Sequence, residues 1–225
     1  MPTPDQFLES LSGELSFIRD VAIRLSGEGD QFDSLSGALE ISHRPRIGSG
    51  AFALRIFPGA DAQMIADYED IHRLAIFDKY RNLLLRMNGA HIFNLSLYGI
   101  PPSMAKRPPL LNRETSWPYD LASSQKGWKR TDSQGLMQLW IGSGPHNRNE
   151  HVGYFLFVDG SVEARLKDGS VLGGWPNLED FLKVEVRRAE IEYPKYEAEE
   201  GAFMDRIRKQ ESSWVRRILG RFGWF

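Results

Sequence analysis

Apolar residues recur every three or four positions from Phe7 to Leu25. Phe7, Leu8, Leu11, Leu15, Ile18, Ala22 and Leu25 share one face, the period of an amphipathic helix. Thr3 stands where a cap belongs, Pro4 fits a first turn, and Gln6 completes a capping-box spacing. Gly27 and Gly29 stop this helix. Gly37, Gly48 and Gly50, with Pro45, then predict a loop carrying at most a short strand. AFALRIF (51–57) reads as a strand, closed by Pro58-Gly59. Two helices are predicted next. One, about 61–73, places Met64, Ile65, Tyr68 and Ile71 on a single face. The other, 77–87, does the same with Phe77, Tyr80, Leu83, Leu84 and Met87. Asn88-Gly89 reads as its stop, because both residues tolerate the left-handed conformation that closes a helix. HIFNLSLYG (91–99) alternates apolar and polar positions, the period of a strand.

Residues 100–135 are rich in proline, serine and lysine and predict a long loop with room for a helical turn. Four strand-like runs follow: LMQLWIG (136–142), GYFLFVDG (153–160), SVEARLKDG (161–169) and SVLGGW (170–175). Asp159-Gly160 and Asp168-Gly169 supply the positive φ angles of tight hairpin turns. An antiparallel meander is expected. Asn177 caps a further helix whose apolar face holds Leu178, Phe181, Leu182, Val186 and Ala189, with Glu179 and Asp180 in its first turn. Pro194 is expected to end it. A last helix, about 202–219, is apolar at Phe203, Ile207, Trp214, Val215 and Ile218, with Phe222 following.

Composition narrows the chemistry. The chain has 225 residues, no cysteine and five histidines. Disulfides, thiolate nucleophiles and cysteine metal sites are therefore excluded. With 28 basic and 30 acidic groups the net charge is −2, so no nucleic-acid surface is indicated. The charge is uneven. Residues 1–40 carry eight acids and two arginines, or −6, and 190–200 carry five glutamates and one lysine, or −4. Residues 201–225 carry six basic groups and two acids, or +4. The start of the chain lacks the basic and apolar regions of a secretory signal, and no run approaches a membrane span. The expected address is the cytoplasm.

Catalytic patterns are weak. His146, Glu150 and His151 lie in PHNRNEH without the spacing of an HExxH pair or a zinc finger, and read as a solvated hairpin loop. A metal-dependent hydrolase or nuclease built on them is the least favoured of three readings. Gly48-Ser49-Gly50 lacks the remainder of a phosphate loop and reads as a flexible turn. No cofactor and no metal are predicted. The six tryptophans say more. Trp140 and Trp175 belong on or beside strands. Trp117 and Trp128, with Tyr119 between them, fall in the lysine-bearing loop, where aromatic side chains serve as interface anchors.

The run YRNLLLRMNGAHIFNLSLYG (80–99) resembles the first half of the SUKH superfamily: a leucine-rich helix, Asn88-Gly89, then a strand ending Tyr98-Gly99. The second half follows in the same order. Trp140 and Gly142 in LWIG, the hairpin closed by Asp159-Gly160, Trp175, and the helix opening NLEDFL resemble that family's later motifs. The likeness covers roughly 55–193. It implies an α+β fold, a twisted and mainly antiparallel sheet with packed helices. It also implies protein binding rather than catalysis, as in bacterial immunity proteins and fungal regulators of glucan synthesis.

The expected organisation is an N-terminal helical arm and loop (1–54), a SUKH-like core (55–193) and a C-terminal amphipathic helix (194–225). The favoured function is a non-catalytic intracellular module that binds a protein partner, most simply a cognate toxin. A regulatory scaffold with an endogenous client is the alternative. Trp117, Tyr119 and Trp128 are the candidate contacts, with Asp30 and Asp33 of the acidic arm pairing to a basic partner. The C-terminal helix is expected to pack on protein, its own core or a second copy, and not on a membrane. Its basic face would meet the acidic stretch 190–200 or the acidic arm.

Overall fold

A computed structural model describes residues 4–48, 50–102, 117–127, 137–147 and 150–221; at 146, 147, 150, 208 and 210–221 it describes the backbone alone. The N-terminal periodicity forms two helices, not one: α1 (Pro4–Ser10) and α2 (Ser16–Leu25), joined by a 3-10 turn at Gly13–Leu15. The break falls at Gly13, whose φ of +66° no helix continues. Phe7, Leu8, Leu11, Leu15, Ile18 and Ala22 are all buried, so the apolar face was correctly placed. The proposed cap Thr3 lies outside the described residues.

The glycine-rich stretch holds a hairpin, β1 (Gln31–Phe32) and β2 (Leu39–His43), before β3 (Phe52–Pro58). Helix α3 (Ala62–His72) is capped by Asp61, which accepts from the Met64 amide at 2.6 Å. Helix α4 (Asp78–Arg86) leads directly into β4 (Met87–Ile92) and β5 (Leu95–Leu97). Helix α5 (Leu121–Gly127) occupies part of the long loop. The meander is β6 (Gln138–Asn147), β7 (Glu150–Phe157), β8 (Val162–Arg165) and β9 (Val171–Trp175), as its Asp-Gly turns foretold. Helix α6 (Leu178–Arg221) closes the described chain, with the Asn177 side chain accepting from the Asp180 amide at 2.8 Å.

Three expectations are corrected. Asn88 and Gly89 do not end α4, which stops at Arg86; both lie inside β4. Gly89 does take a positive φ, +81°, but at a bulge where Ile56 pairs with Ala90 and Pro58 with Met87. The extra β4 residue turns Asn88 toward Ile100. Its carboxamide donates to that carbonyl at 2.8 Å and accepts from that amide at 2.7 Å, replacing a strand neighbour. Second, residues 91–99 are not one strand but the end of β4, a turn at Phe93-Asn94, and β5. Phe93 sits at φ +56° there. Third, Pro194 does not end its helix. Helix α6 runs for 44 residues through it. A mid-helix proline costs about 3 kcal/mol. Here Pro194 faces solvent and the helix is pinned on both sides of it. Tyr193 packs on Phe93 with ring centroids 5.0 Å apart. Ion pairs join Arg24 to Glu190 (2.7 Å), Arg44 to Glu197 (3.1 Å) and Arg46 to Asp205 (2.7 Å).

Every neighbouring pair in the nine-stranded sheet is antiparallel, and the order is simply β1 to β9. This is an α+β fold. Register gives its two faces opposite characters. One row of directly paired residues runs Leu39, Ile56, Ala90, Leu97, Gly142, Tyr154, Ala164, Gly173. It belongs to the main core, which also takes in Phe7, Ile18, Leu84, Phe181 and Val186. On that face Trp175 and Phe181 lie against Tyr154, and buried Glu185 accepts from the Tyr154 hydroxyl and pairs with Arg188. The adjacent row runs Gln31, Glu40, Arg55, His91, Ser96, Ser143, Gly153, Arg165. It is mostly polar, interrupted by Gly153 and ending on β9 at Val171, which pairs with Arg165.

Candidate functional site

The polar row is flanked by aromatic rings on the same face. Phe57 meets His91 (5.8 Å between centroids), His91 meets Tyr119 (4.8 Å), and Tyr119 meets Tyr98 (6.2 Å). Tyr98 in turn meets Trp140 (5.4 Å), which stacks on Phe155 (5.9 Å). Strand alternation explains the series. Phe57, His91, Tyr98 and Phe155 each stand one position from a residue of the apolar row and so point to the opposite side, while Trp140 is two positions from Gly142 across a register shift. Arg165 completes it with its guanidinium 5.7 Å from the Phe155 ring and 5.2 Å from Phe157.

Glycines make room for these rings. A Cβ on Gly153 would sit 2.8 Å from the Trp140 indole nitrogen and 2.9 Å from the Phe155 ring, so Trp140 lies across a bare stretch of β7. The indole donates to the Gly142 carbonyl at 2.6 Å. Gly99 is as tight: its Cβ would approach the Asn88 carbonyl oxygen to 2.4 Å. Beyond the end of β5, the Gln125 carboxamide bonds both the Trp140 amide (3.0 Å) and its carbonyl (2.8 Å). This fixes α5 to β6.

Between α5 and the sheet lies an open hollow bordered by Tyr98, Tyr119, Asp120, Ser96, Ser143 and His151. Asp120 accepts from the Tyr68 hydroxyl, from the Ser123 hydroxyl at 2.8 Å and from the Ala122 amide at 3.1 Å. Burial acts to raise its pKa, but these bonds outweigh burial and hold the carboxyl below its ordinary range. Tyr98 is raised to about 12, chiefly by burial, while hydrogen bonds with Ser143 and Ser124 act the other way. His91 is lowered to about 4 by desolvation and then by the Arg55 charge. It is neutral at pH 7, with Nδ1 3.3 Å from the Ser96 hydroxyl. Arg55 is itself paired with Glu40 at 2.7 Å, and both are buried.

The sequence candidates divide between two places. Trp117 and Tyr119 lie at this hollow or just before it in the chain. Tyr119 is 48% exposed although the His91 and Tyr98 rings flank it. The Trp117 indole N–H is buried without a hydrogen-bond partner. Trp128 is outside the described residues. Asp30 and Asp33 lie instead at the β1–β2 hairpin. Asp30 accepts from the amides of Gly27 and Ser42, each at 2.8 Å, and Asp33 from those of Leu35 (2.9 Å) and Ser36 (2.8 Å). One strand, β3, separates that hairpin from β4. The side chains of His146 and Glu150 are outside the description; His151 borders the hollow, its pKa lowered by burial and by Lys167. Among the described residues no three His, Asp or Glu side chains are grouped to hold a metal ion.

Asp120, His91, Ser96, Ser143 and Gly153 were not singled out in the sequence. For the four on strands the available signal is cross-strand register, which links His91 to Gly153 through Ser96 and Ser143. Comparison of the chain with protein-family models, with curated proteins and with solved structures finds no match. Among the described residues no helix is long and apolar enough to cross a membrane.

Proposed function

We propose that this chain is a non-catalytic protein-binding module of the immunity-protein kind, which captures a cognate toxin inside the cell, and that the partner docks on the aromatic face around Trp117, Tyr119 and Asp120. The observation that carries the reading is the half-exposed Tyr119 ring set among a fixed series of aromatic groups. Aromatic anchors held rigidly by their neighbours lose little entropy on binding.

The ordered likeness to the SUKH superfamily adds support: Gly142 in β6, the Asp159-Gly160 turn, Trp175 ending β9 and the Asn177-capped helix occur in the expected sequence. The Asn88-Gly89 element departs from it, being a strand bulge and not a helix stop. The proposal therefore rests on the face and not on that motif. Co-expression with the product of the adjacent gene tests it. The expected result is rescue of growth and co-purification with the wild-type chain, and loss of both with Tyr119→Ala plus Trp117→Ala. Rescue that is indifferent to these changes, or no complex at all, overturns the assignment.

A further inference from the structure

The chain builds the same three-part arrangement repeatedly: a guanidinium between a carboxylate and an aromatic ring. Arg165 pairs with Glu163 at 2.7 Å and lies over Phe155 and Phe157. Arg55 pairs with Glu40 and lies 6.0 Å from the Phe52 ring. Arg44 pairs with Glu197 at 3.1 Å and lies 5.4 Å from the Tyr193 ring. A fourth set has the ring and the carboxylate but no cation. Asp120 and the rings of Tyr119 and Tyr98 border one hollow, and no basic side chain of the described residues pairs with Asp120.

Four neutral donors, the Tyr68 and Ser123 hydroxyls and the Ala122 and Ser123 amides, orient the Asp120 carboxylate without cancelling its charge. Tyr68 and Ala122 hold Oδ1, while the Ser123 hydroxyl holds Oδ2. An anion fixed in a half-buried hollow with hydroxyl and aromatic walls favours a cation more than an exposed carboxylate does. The half-exposed Tyr119 ring at the same hollow favours a planar guanidinium, which stacks, over a strongly hydrated ammonium. From this juxtaposition of Asp120, Tyr119 and Tyr98 we infer that the hollow is a receptor for an arginine side chain presented by the partner. The inference rests on the proposed function and names the chemistry of its contact.

The test titrates Nα-acetyl-arginine amide into 15N-labelled full-length protein at low salt, followed by amide shifts. Matched titrations use the citrulline and lysine analogues. The expected result is saturable shifts at Ser96, Tyr119 to Ser124 and Ser143 with the arginine probe. Affinity should fall at least tenfold with citrulline, severalfold with lysine, and at least tenfold in Asp120→Asn. Asparagine caps a helix as well as aspartate does, so that variant keeps α5. Tyr119→Leu, altered at an exposed ring, is the second variant and should weaken the arginine probe severalfold. Equal shifts for arginine and citrulline, equal affinity for lysine, shifts confined to the glutamates of 190–200, or no saturable shift would each overturn the inference. A partner complex that depends on Tyr119 while the arginine probe fails would sink this inference and leave the proposed function standing. Arginine binding with a complex indifferent to the face would do the reverse.

Discussion

His91 is the residue whose environment makes the sharpest claim. Its folded pKa is about 4, against an unfolded value near 6.5. Between those values the unfolded chain binds the extra proton, so stability rises with pH through this window. The full difference is at most about 3 kcal/mol, present above pH 6.5 and lost as the pH falls to 4. His151 is shifted in the same direction, so the comparison has to be made with a variant. Urea midpoints measured from pH 4 to 7 should fall steeply toward acid in the wild type and much less in His91→Gln. Parallel curves would show that His91 protonates freely in the fold. Gly153 makes a second claim at this scale. Its Cβ position is taken by Trp140 and Phe155. Gly153→Ala should lower stability by about 1–3 kcal/mol, the range for forcing extra volume into packed surroundings. A melting temperature equal to wild type would mean that Trp140 moves aside without cost.

At the scale of elements, local signals were legible where they acted alone. The Asp159-Gly160 and Asp168-Gly169 turns placed the meander because each turn needs only its own residues, and Asp61 and Asn177 cap as their positions imply. The signals that failed were overruled by distant contacts. Gly89 was correctly read as left-handed, but the strand pairing of β3 with β4 uses that freedom in a bulge. Pro194 was read as a stop, yet Arg24, Arg44 and Arg46 bind the helix on either side of it. The site was legible only in part. Tyr119 stands out as an aromatic ring in a polar loop. Asp120, His91 and Gly153 do not, because a residue's row on a sheet depends on register and no local pattern reveals it. The proline supplies a direct prediction. Pro194→Ala restores an amide donor and removes a clash in α6, so hydrogen exchange over 195–207 should slow, with a gain of about 1–3 kcal/mol. Unchanged exchange would mean that the ion pairs already hold that segment at its limit.

At the scale of the molecule, the uneven charge has been answered largely from within. The acids at 190, 197 and 205 meet arginines at 24, 44 and 46; the side chains of Arg208, Arg216, Arg217 and Arg221, expected to meet acidic residues, lie outside the described ones. Asp30 and Asp33 bind turn amides. Helix α6 with buried Glu185 and the apolar row lie on one side of the sheet, while α5, whose Leu121 and Ala122 also belong to the main core, borders the hollow. What is left on the other side is a row of mostly polar groups and rings, with the Tyr119 ring half-exposed and no basic side chain of the described residues paired with Asp120. The central claim is that this second face binds the partner. Hydrogen-exchange footprinting of the complex with the adjacent-gene product tests it most directly. The account predicts slowed exchange concentrated in 117–127, β5 and the part of β6 around Trp140 to Ser143. Protection confined to the β1–β2 hairpin, with those segments unchanged, would contradict it.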